Sequence, residues 1–263
     1  MTFDAFWLPG LSQGDELITR ELSDNVAIRY PALTAERVRE LCRSVRARAA
    51  AARAITVQQR VRAIACATAF LRQPDNDAFE QAVALIAAAT GYSIDMTRHV
   101  LLRMAQDWTE PALLELIASE LGDPIVLEGP VPDGNSRRRV MAVGPQLAAH
   151  IFAGNVPGVA VTSLIRTLLL KSGAFGKTAL EEPVLPVLFA RSLAAVDPAL
   201  AGAINVTYWP GGTTGLEEAL LREADTSIVY GSRDVVSLAR TSAPLNARLV
   251  IHGPRLSLGL VQG

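Results

Sequence analysis

Two cysteines, three histidines and a formal net charge of −1 in 263 residues leave several kinds of chemistry without a foothold. Near-neutral charge supplies no global field for nucleic acid or for an anionic membrane. Cys42 and Cys66 match no metal-ligand spacing and fit a reducing compartment. No run approaches the ~18 apolar residues of a membrane span. The nearest, Val156–Leu170, is too short and is interrupted by Pro157, Gly158 and Arg166. The opening MTFDAFWLPG lacks the basic region and apolar core of a signal peptide, so the cytoplasm is the expected location. Also absent are a G-x-G-x-x-G fingerprint after the first strand of the parallel sheet, a Walker sequence, H-E-x-x-H, G-x-S-x-G and a Cys-His pair within one motif.

What is present is an ordinary globular composition, 50% hydrophobic and 19% charged, sufficient for a sizeable core in one large or two small domains. Residues 1–30 are mixed and turn-rich, with one short strand expected at Val26–Tyr30. Thr34 then caps a helix running to about Ala54. That helix carries Arg37, Arg39, Arg43, Arg46, Arg48 and Arg53 opposite Val38, Leu41, Cys42 and Val45. Without interleaved aromatics it reads as a solvated face and not as a nucleic-acid surface. Further helices are expected over Val57–Leu71, Asp77–Ala89, from the Ser93 cap to Gln106, and from Glu110-Pro111 to Leu121, with proline at the favoured first position.

The pattern changes at Asp123-Pro124. Ile125–Leu127 and Arg138–Val143 read as two strands around the turn Pro132-Asp133-Gly134-Asn135. Beyond them lies the stretch His150–Lys177, HIFAGNVPGVAVTSLIRTLLLKSGAFGK. Its apolar run His150–Ala153, polar turn Gly154–Gly158, helically spaced Val161, Leu164, Ile165, Leu168 and Leu169, and second run ending at Lys177 form one strand–helix–strand crossover. Asn155 and Lys177 stand at strand ends, where ligands of open parallel sheets bind. The alternation continues. A helix follows Pro183 to about Val196, then come a strand Ile204–Trp209, a loop Pro210–Gly215 and a helix to Arg222. A strand Ser227–Tyr230, a short helix to Arg240, and strands Arg248–His252 and Ser257–Val261 complete it. Right-handed crossovers make this a Rossmann-like parallel sheet. The fold class is α/β, with residues 1–122 as a mostly helical N-terminal segment packing on a cofactor-binding region at 123–263. Spacing alone reaches no further than a nucleotide-sized ligand at the top of that sheet.

The same stretch, with VDPALAGAINVTYWPGG, IVYGS and VIHGPRLSLG after it in order, resembles the acyl-CoA reductases of the bacterial luminescence type, a branch of the aldehyde dehydrogenase superfamily. The resemblance covers at least residues 123–263. It implies an acyl group carried on a cysteine, hydride from NADPH, and an aldehyde product. The acyl donor would be a CoA thioester or an acyl carrier. Asn155-Val156-Pro157 is similar to the superfamily's Asn-x-Pro turn, whose amide helps hold the oxyanion, a role in which one lost donor costs ~3–4 kcal/mol. The plainer alternative is a turn residue satisfying local backbone. Lys177 matches a lysine that contacts the cofactor's ribose or 2′-phosphate; its alternative is a solvated surface lysine. Where the superfamily often has a ribose-gripping glutamate this chain has Leu180, which favours NADP(H), although Glu181 and Glu182 follow and leave NAD as the alternative.

Gly211 and Gly212 would let the backbone pass close to the adenosine end, and Gly231-Ser232 resembles a Gly-Ser turn that meets the pyrophosphate at a helix N-terminus. Both pairs read equally as plain turns. His252 occupies the place of the general-base glutamate in many aldehyde dehydrogenases, and reads either as a base or as a structural histidine. The superfamily's nucleophilic cysteine lies well beyond that position. Cys42 and Cys66 sit in expected helices on faces that read as buried, and neither matches the nucleophile motif. The expectation is therefore a cofactor-binding part without its catalytic domain, inactive alone. The competing reading is an inactive NAD(P)-binding module serving a partner. The segment 125–143 resembles the superfamily's oligomerisation strands, which implies a homodimer.

Overall fold

The computed structural model describes residues 1–11, 14–23, 26–132 and 138–253. The chain opens on β1 (Thr2–Asp4), β2 (Phe6–Trp7), β3 (Leu17–Ser23) and β4 (Val26–Pro31), where the sequence pattern led to one strand. β1 and β2 are too short for a period to show, and β3 is exposed along nearly its whole length, so no alternation marks it. β1, β4 and β3 form a small sheet in that order.

Helices follow as their caps dictate. The Thr34 hydroxyl accepts Arg37 N–H at 3.2 Å and starts α1 (Ala35–Ala51). A reciprocal box between Thr56 and Gln59 starts α2 (Val57–Ala67). α3 (Asp77–Thr90) stops at Gly91, Ser93 caps α4 (Ile94–Gln106), and Pro111 opens α5 (Glu110–Leu121). The arginines of α1 are spent internally. Arg37 bridges Asp15 and Glu40, Arg39 and Arg43 meet Glu36, Arg46 meets Asp225 at 2.7 Å, and Arg48 donates to Gly202 O and Asn205.

Residues Pro124–Leu127 form a 3-10 turn and not a strand. Asp123 accepts the Ile125 amide and Pro124 fixes φ at the turn's start, which overrides the β-branched pair Ile125-Val126. Between this turn and Leu147, the strands among the described residues are β5 (Val131–Pro132) and β6 (Arg139–Val140), paired antiparallel; residues 133–137, which include most of the expected turn, lie outside the described residues.

The second half is β7 (Leu147–Ile151), α6 (Val159–Leu169), β8 (Gly173–Thr178), α7 (Leu185–Val196), α8 (Pro198–Ala201), β9 (Ile204–Tyr208), α9 (Thr214–Glu223), β10 (Thr226–Tyr230), α10 (Arg233–Ser242) and β11 (Arg248–His252). The strand expected at Ser257–Val261 lies outside the described residues. The large sheet runs β11-β10-β7-β8-β9-β2, parallel throughout except for β2, which returns from the N-terminus to pair antiparallel with β9. Setting β2 aside, this is the doubly wound order, and it reverses between β7 and β10.

Strand periodicity divides the two faces. Leu147, Ala149, Ile151, Phe175 and Trp209 pack under α1 and α9, whereas Ala174, Ile204, Val206 and Tyr208 pack with α2, α6 and α7. The second core is continuous from Phe3 to Tyr208. Arg60, 1% exposed, stitches α2 to α6 by donating to Leu168 O at 2.8 Å. Among the described residues no helix is long and apolar enough to cross a membrane.

Candidate functional site

All seven candidate residues fall at the carboxyl ends of the parallel strands or in the turns just beyond them, but they divide between the two faces of the sheet. The β7–α6 turn carries Asn155. Its Gly158 has φ +95°, open to glycine and costly for other residues. Gly154 lies so close to Glu181 that an added Cβ would sit 2.6 Å from the Glu181 Cβ. The Tyr92 hydroxyl, from the α3–α4 link, donates to Asn155 O at 2.7 Å. The Asn155 side chain is exposed, so its amide is presented to solvent while its backbone is pinned.

Behind this turn lies Glu182, 2% exposed, which accepts the Gly158 N–H at the start of α6. Its Oε1 has no partner, and burial pushes its pKa up to about 8. His150 is enclosed on the same face, with Nδ1 3.0 Å from Ser163 Oγ and Nε2 3.1 Å from Thr167 Oγ1. Burial holds it neutral, its pKa pushed down to about 3. His252 is exposed at the end of β11 and stacks on Tyr230 at 4.4 Å. Tyr230 in turn faces Phe152, and Phe152 faces His150, giving an aromatic ladder across three strands.

Lys177, the penultimate residue of β8, lies on the opposite face, in register with Ile151 on one side and Thr207 on the other. It is 7% exposed, not solvated. Burial lowers its pKa, and the charges of Glu217 and Glu181 oppose that shift. Glu217 comes from the first turn of α9 and is also buried; desolvation raises its pKa against the pull of Lys177. The two do not close a direct salt bridge. Trp209 sits beside Glu217, and its buried Nε1 finds no well-aligned acceptor. Gly211 and Gly212 follow it with open space where a Cβ would stand, and Gly212 has φ +84°. At the switch point, Gly231 gives its N–H to His252 O at 3.4 Å, and Ser232 opens α10 with no side-chain cap bond.

Tyr92, Trp209 and Glu217 escaped the sequence reading, which weighed Glu182 only for the choice of cofactor and not as a buried group behind the turn. Only Glu217 carried a local signal, a carboxylate just after the glycine loop. The cysteines divide as well. Cys42 is buried under α9 with its thiol pushed up to about 12 by desolvation, whereas Cys66 is exposed on α2, contrary to its expected buried face. α2 turns Val61, Ala63, Ile64 and Ala67 inward and leaves Cys66 on the opposite side.

Solved structures share this arrangement. The salicylaldehyde dehydrogenase of Pseudomonas putida G7 superposes with a TM-score of 0.72 at 14% identity, over 96% of this chain and 52% of that one. The NADP-dependent glyceraldehyde-3-phosphate dehydrogenase of Bacillus halodurans C-125 does so with 0.69 at 15%, over 94% and 52%. The fold is that of an aldehyde dehydrogenase. Within that class the model of the acyl-CoA reductase (LuxC) family matches residues 54–263, and the chain belongs to that family. It is 30% identical over 152 residues to a long-chain acyl-protein thioester reductase of Vibrio harveyi, covering 57% of this chain and 31% of that protein. With the counterpart from Photobacterium phosphoreum it shares 26% over 180 residues, 65% of this chain and 36% of the relative. The chain thus spans about a third of the length of these relatives.

Proposed function

We propose that this chain forms the cofactor-binding part of an NADPH-dependent reductase that converts a long-chain acyl thioester, carried on CoA or on a protein, to the aldehyde. The observation that carries this reading is the pairing of two strand ends in a doubly wound sheet. Asn155 is presented beyond β7, and Lys177 stands buried at the end of the neighbouring β8. Membership of the LuxC family supports the chemistry.

The residues present suit a dinucleotide. The open Gly211-Gly212 loop admits a ligand close to the backbone, and the uncapped start of α10 at Ser232 offers amides to a pyrophosphate. When bound, NADPH supplies the hydride. Lys177 would hold the adenosine ribose or its 2′-phosphate. Asn155 donates to the oxygen of the acyl group as negative charge develops there. His252, at the rim, is assigned the place of a base that thioester reduction does not require, because hydride delivery to the acyl carbon consumes no hydrolytic water.

A sulfur nucleophile is not assigned to this chain. Cys42 is enclosed and held as a thiol, and Cys66 lies on α2 among the N-terminal helices. The experiment is a titration of the pure protein with NADPH and NADH followed by tryptophan fluorescence, with an acyl-CoA reduction assay alongside. Saturable quenching without turnover is the expected result. Silence toward both cofactors removes the cofactor assignment, and turnover by the chain alone removes the claim that its nucleophile lies elsewhere.

A further inference from the structure

We infer that Glu182 is a positioning residue for Asn155: its carboxyl holds the exit of the β7–α6 turn and thereby fixes where the Asn155 amide points. The inference rests on the reading above, in which that amide meets the acyl oxygen.

The turn is tied at both ends to one segment of chain. Where it leaves β7, Phe152 gives its N–H to Lys177 O at 2.9 Å. Gly154 packs on the next stretch of that segment: a Cβ there would lie 2.8 Å from Glu181 Oε2 and 3.2 Å from Ala179 Cβ. At the exit, the buried Gly158 gives its N–H to Glu182. The residues from Lys177 to Glu182 therefore run alongside the turn from entry to exit. Asn155 lies between the fixed points, with its own carbonyl held by Tyr92. Pro183 disfavours a helical backbone at Glu182, so the segment stays outside α7, which begins at Leu185.

Stability does not explain a glutamate here. Glu182 is 2% exposed, and its Oε1 has no partner among the described residues. A carboxyl with part of its hydrogen bonding unmet is costly to bury, and an apolar side chain would fill the same place at less cost. What an apolar side chain cannot do is accept the Gly158 N–H. Gly158 is the N-cap of α6, has φ +95° and carries no side chain that could cap the helix. Glu182 supplies an acceptor from another element. Without it a buried amide stands unpaired three residues from Asn155, and the turn can satisfy that amide only by opening toward water.

The test compares the wild-type chain with Glu182→Met, which fills the space without an acceptor, and Glu182→Gln, which keeps one. Circular dichroism confirms folding. Amide exchange is followed residue by residue by NMR, together with the side-chain amide signals of Asn155, identified by their absence from Asn155→Ala. Glu182→Met should speed exchange in the Gly154–Gly158 turn by about ten-fold, the cost of leaving one buried donor unpaired, and should broaden or split the Asn155 side-chain signals. Glu182→Gln should leave both near wild type. Wild-type exchange in the Met variant overturns the role, as does a Gln variant that behaves like the Met variant. Acceleration shared equally by β8 and α7 also overturns it, because it marks a loosened core and not a released turn. Should Glu182→Met fail to fold, Glu182→Asp, which withdraws the carboxyl by one methylene, must accelerate exchange in the turn. Both signals are read without cofactor or acyl substrate, so they stand apart from the reductase reading, which titration and turnover decide.

Discussion

Between β7 and α6 a methyl group added at Gly154 would sit 2.6 Å from Glu181 Cβ, and one added at Gly158 would sit 3.0 Å from Met104 Cγ; between β9 and α9 a methyl at Gly211 or Gly212 would meet nothing within 4 Å. The two turns leave neighbouring regions of the same sheet edge, yet one is packed tightly at its two glycines and the other is bare at both of its own. The crowded turn carries Asn155, whose proposed task is to aim a donor at a small charge, and such work requires a fixed position. The open turn follows Trp209, on the face of the sheet that carries Lys177, and its proposed task is to admit a large ligand. Rigidity is concentrated where direction matters, and space where volume matters.

The contrast can be broken most strongly through Glu182, which lies buried behind the crowded turn. Its pKa is raised from 4.5 to about 8, so the folded state holds a proton that the unfolded chain has released. Its contribution to stability is present at acid pH and falls by about 1.4 kcal/mol per pH unit as pH rises through that window. Glu182→Gln keeps an acceptor for Gly158 N–H and removes the proton. Melting curves between pH 5 and pH 9, as chosen conditions around this range, should show the variant gaining on the wild type as pH rises. Equal pH slopes for the two proteins would contradict the assignment.

Gly158→Ala combines a left-handed φ with overpacking against Met104 and should cost about 3 kcal/mol in denaturant unfolding. A loss below ~1 kcal/mol would mean that the turn is more pliable than its packing implies. Tyr92→Phe removes one hydrogen bond to Asn155 O and should cost about 1 kcal/mol. Faster amide exchange confined to the Gly154–Gly158 turn would mark the local effect, whereas unchanged exchange would deny the hydroxyl its role. On the open side, Gly211→Ala has neither a left-handed φ nor a neighbour to meet, and should change stability by no more than ~0.5 kcal/mol. A large loss there would erase the difference between the two turns.

Much of the α/β architecture was legible in the sequence because its signals are local. Thr34, Ser93 and Pro111 announce helix starts within a few residues of where they act, and the crossover from β7 to β8 carries its own apolar period. Ile125–Leu127 misled because β-branched residues suggest a strand, while the Asp123-Pro124 pair that decides the turn acts through one side-chain hydrogen bond. The N-terminal strands left no pattern, since β2 exists only through its partner on β9. For the site, position along the strands was readable and surroundings were not. Lys177 was placed at a strand end, but its burial depends on α9. Cys66 was assigned to a helix, but the face it occupies depends on how α2 meets its neighbours. Tyr92 reaches Asn155 from 63 residues away, and no spacing rule connects the two.

The edge strand β2 has a consequence in time. Phe6 finds its backbone partner only at Thr207, so β2 waits through most of the described chain before its place exists. At roughly 5–20 residues per second the ribosome imposes a delay of roughly 10–40 s between the two. During that interval β2 must remain without its partner strand, and β9 emerges with one flank open. The β2 edge of the sheet is therefore closed only after β9 has been made, by a strand made long before it.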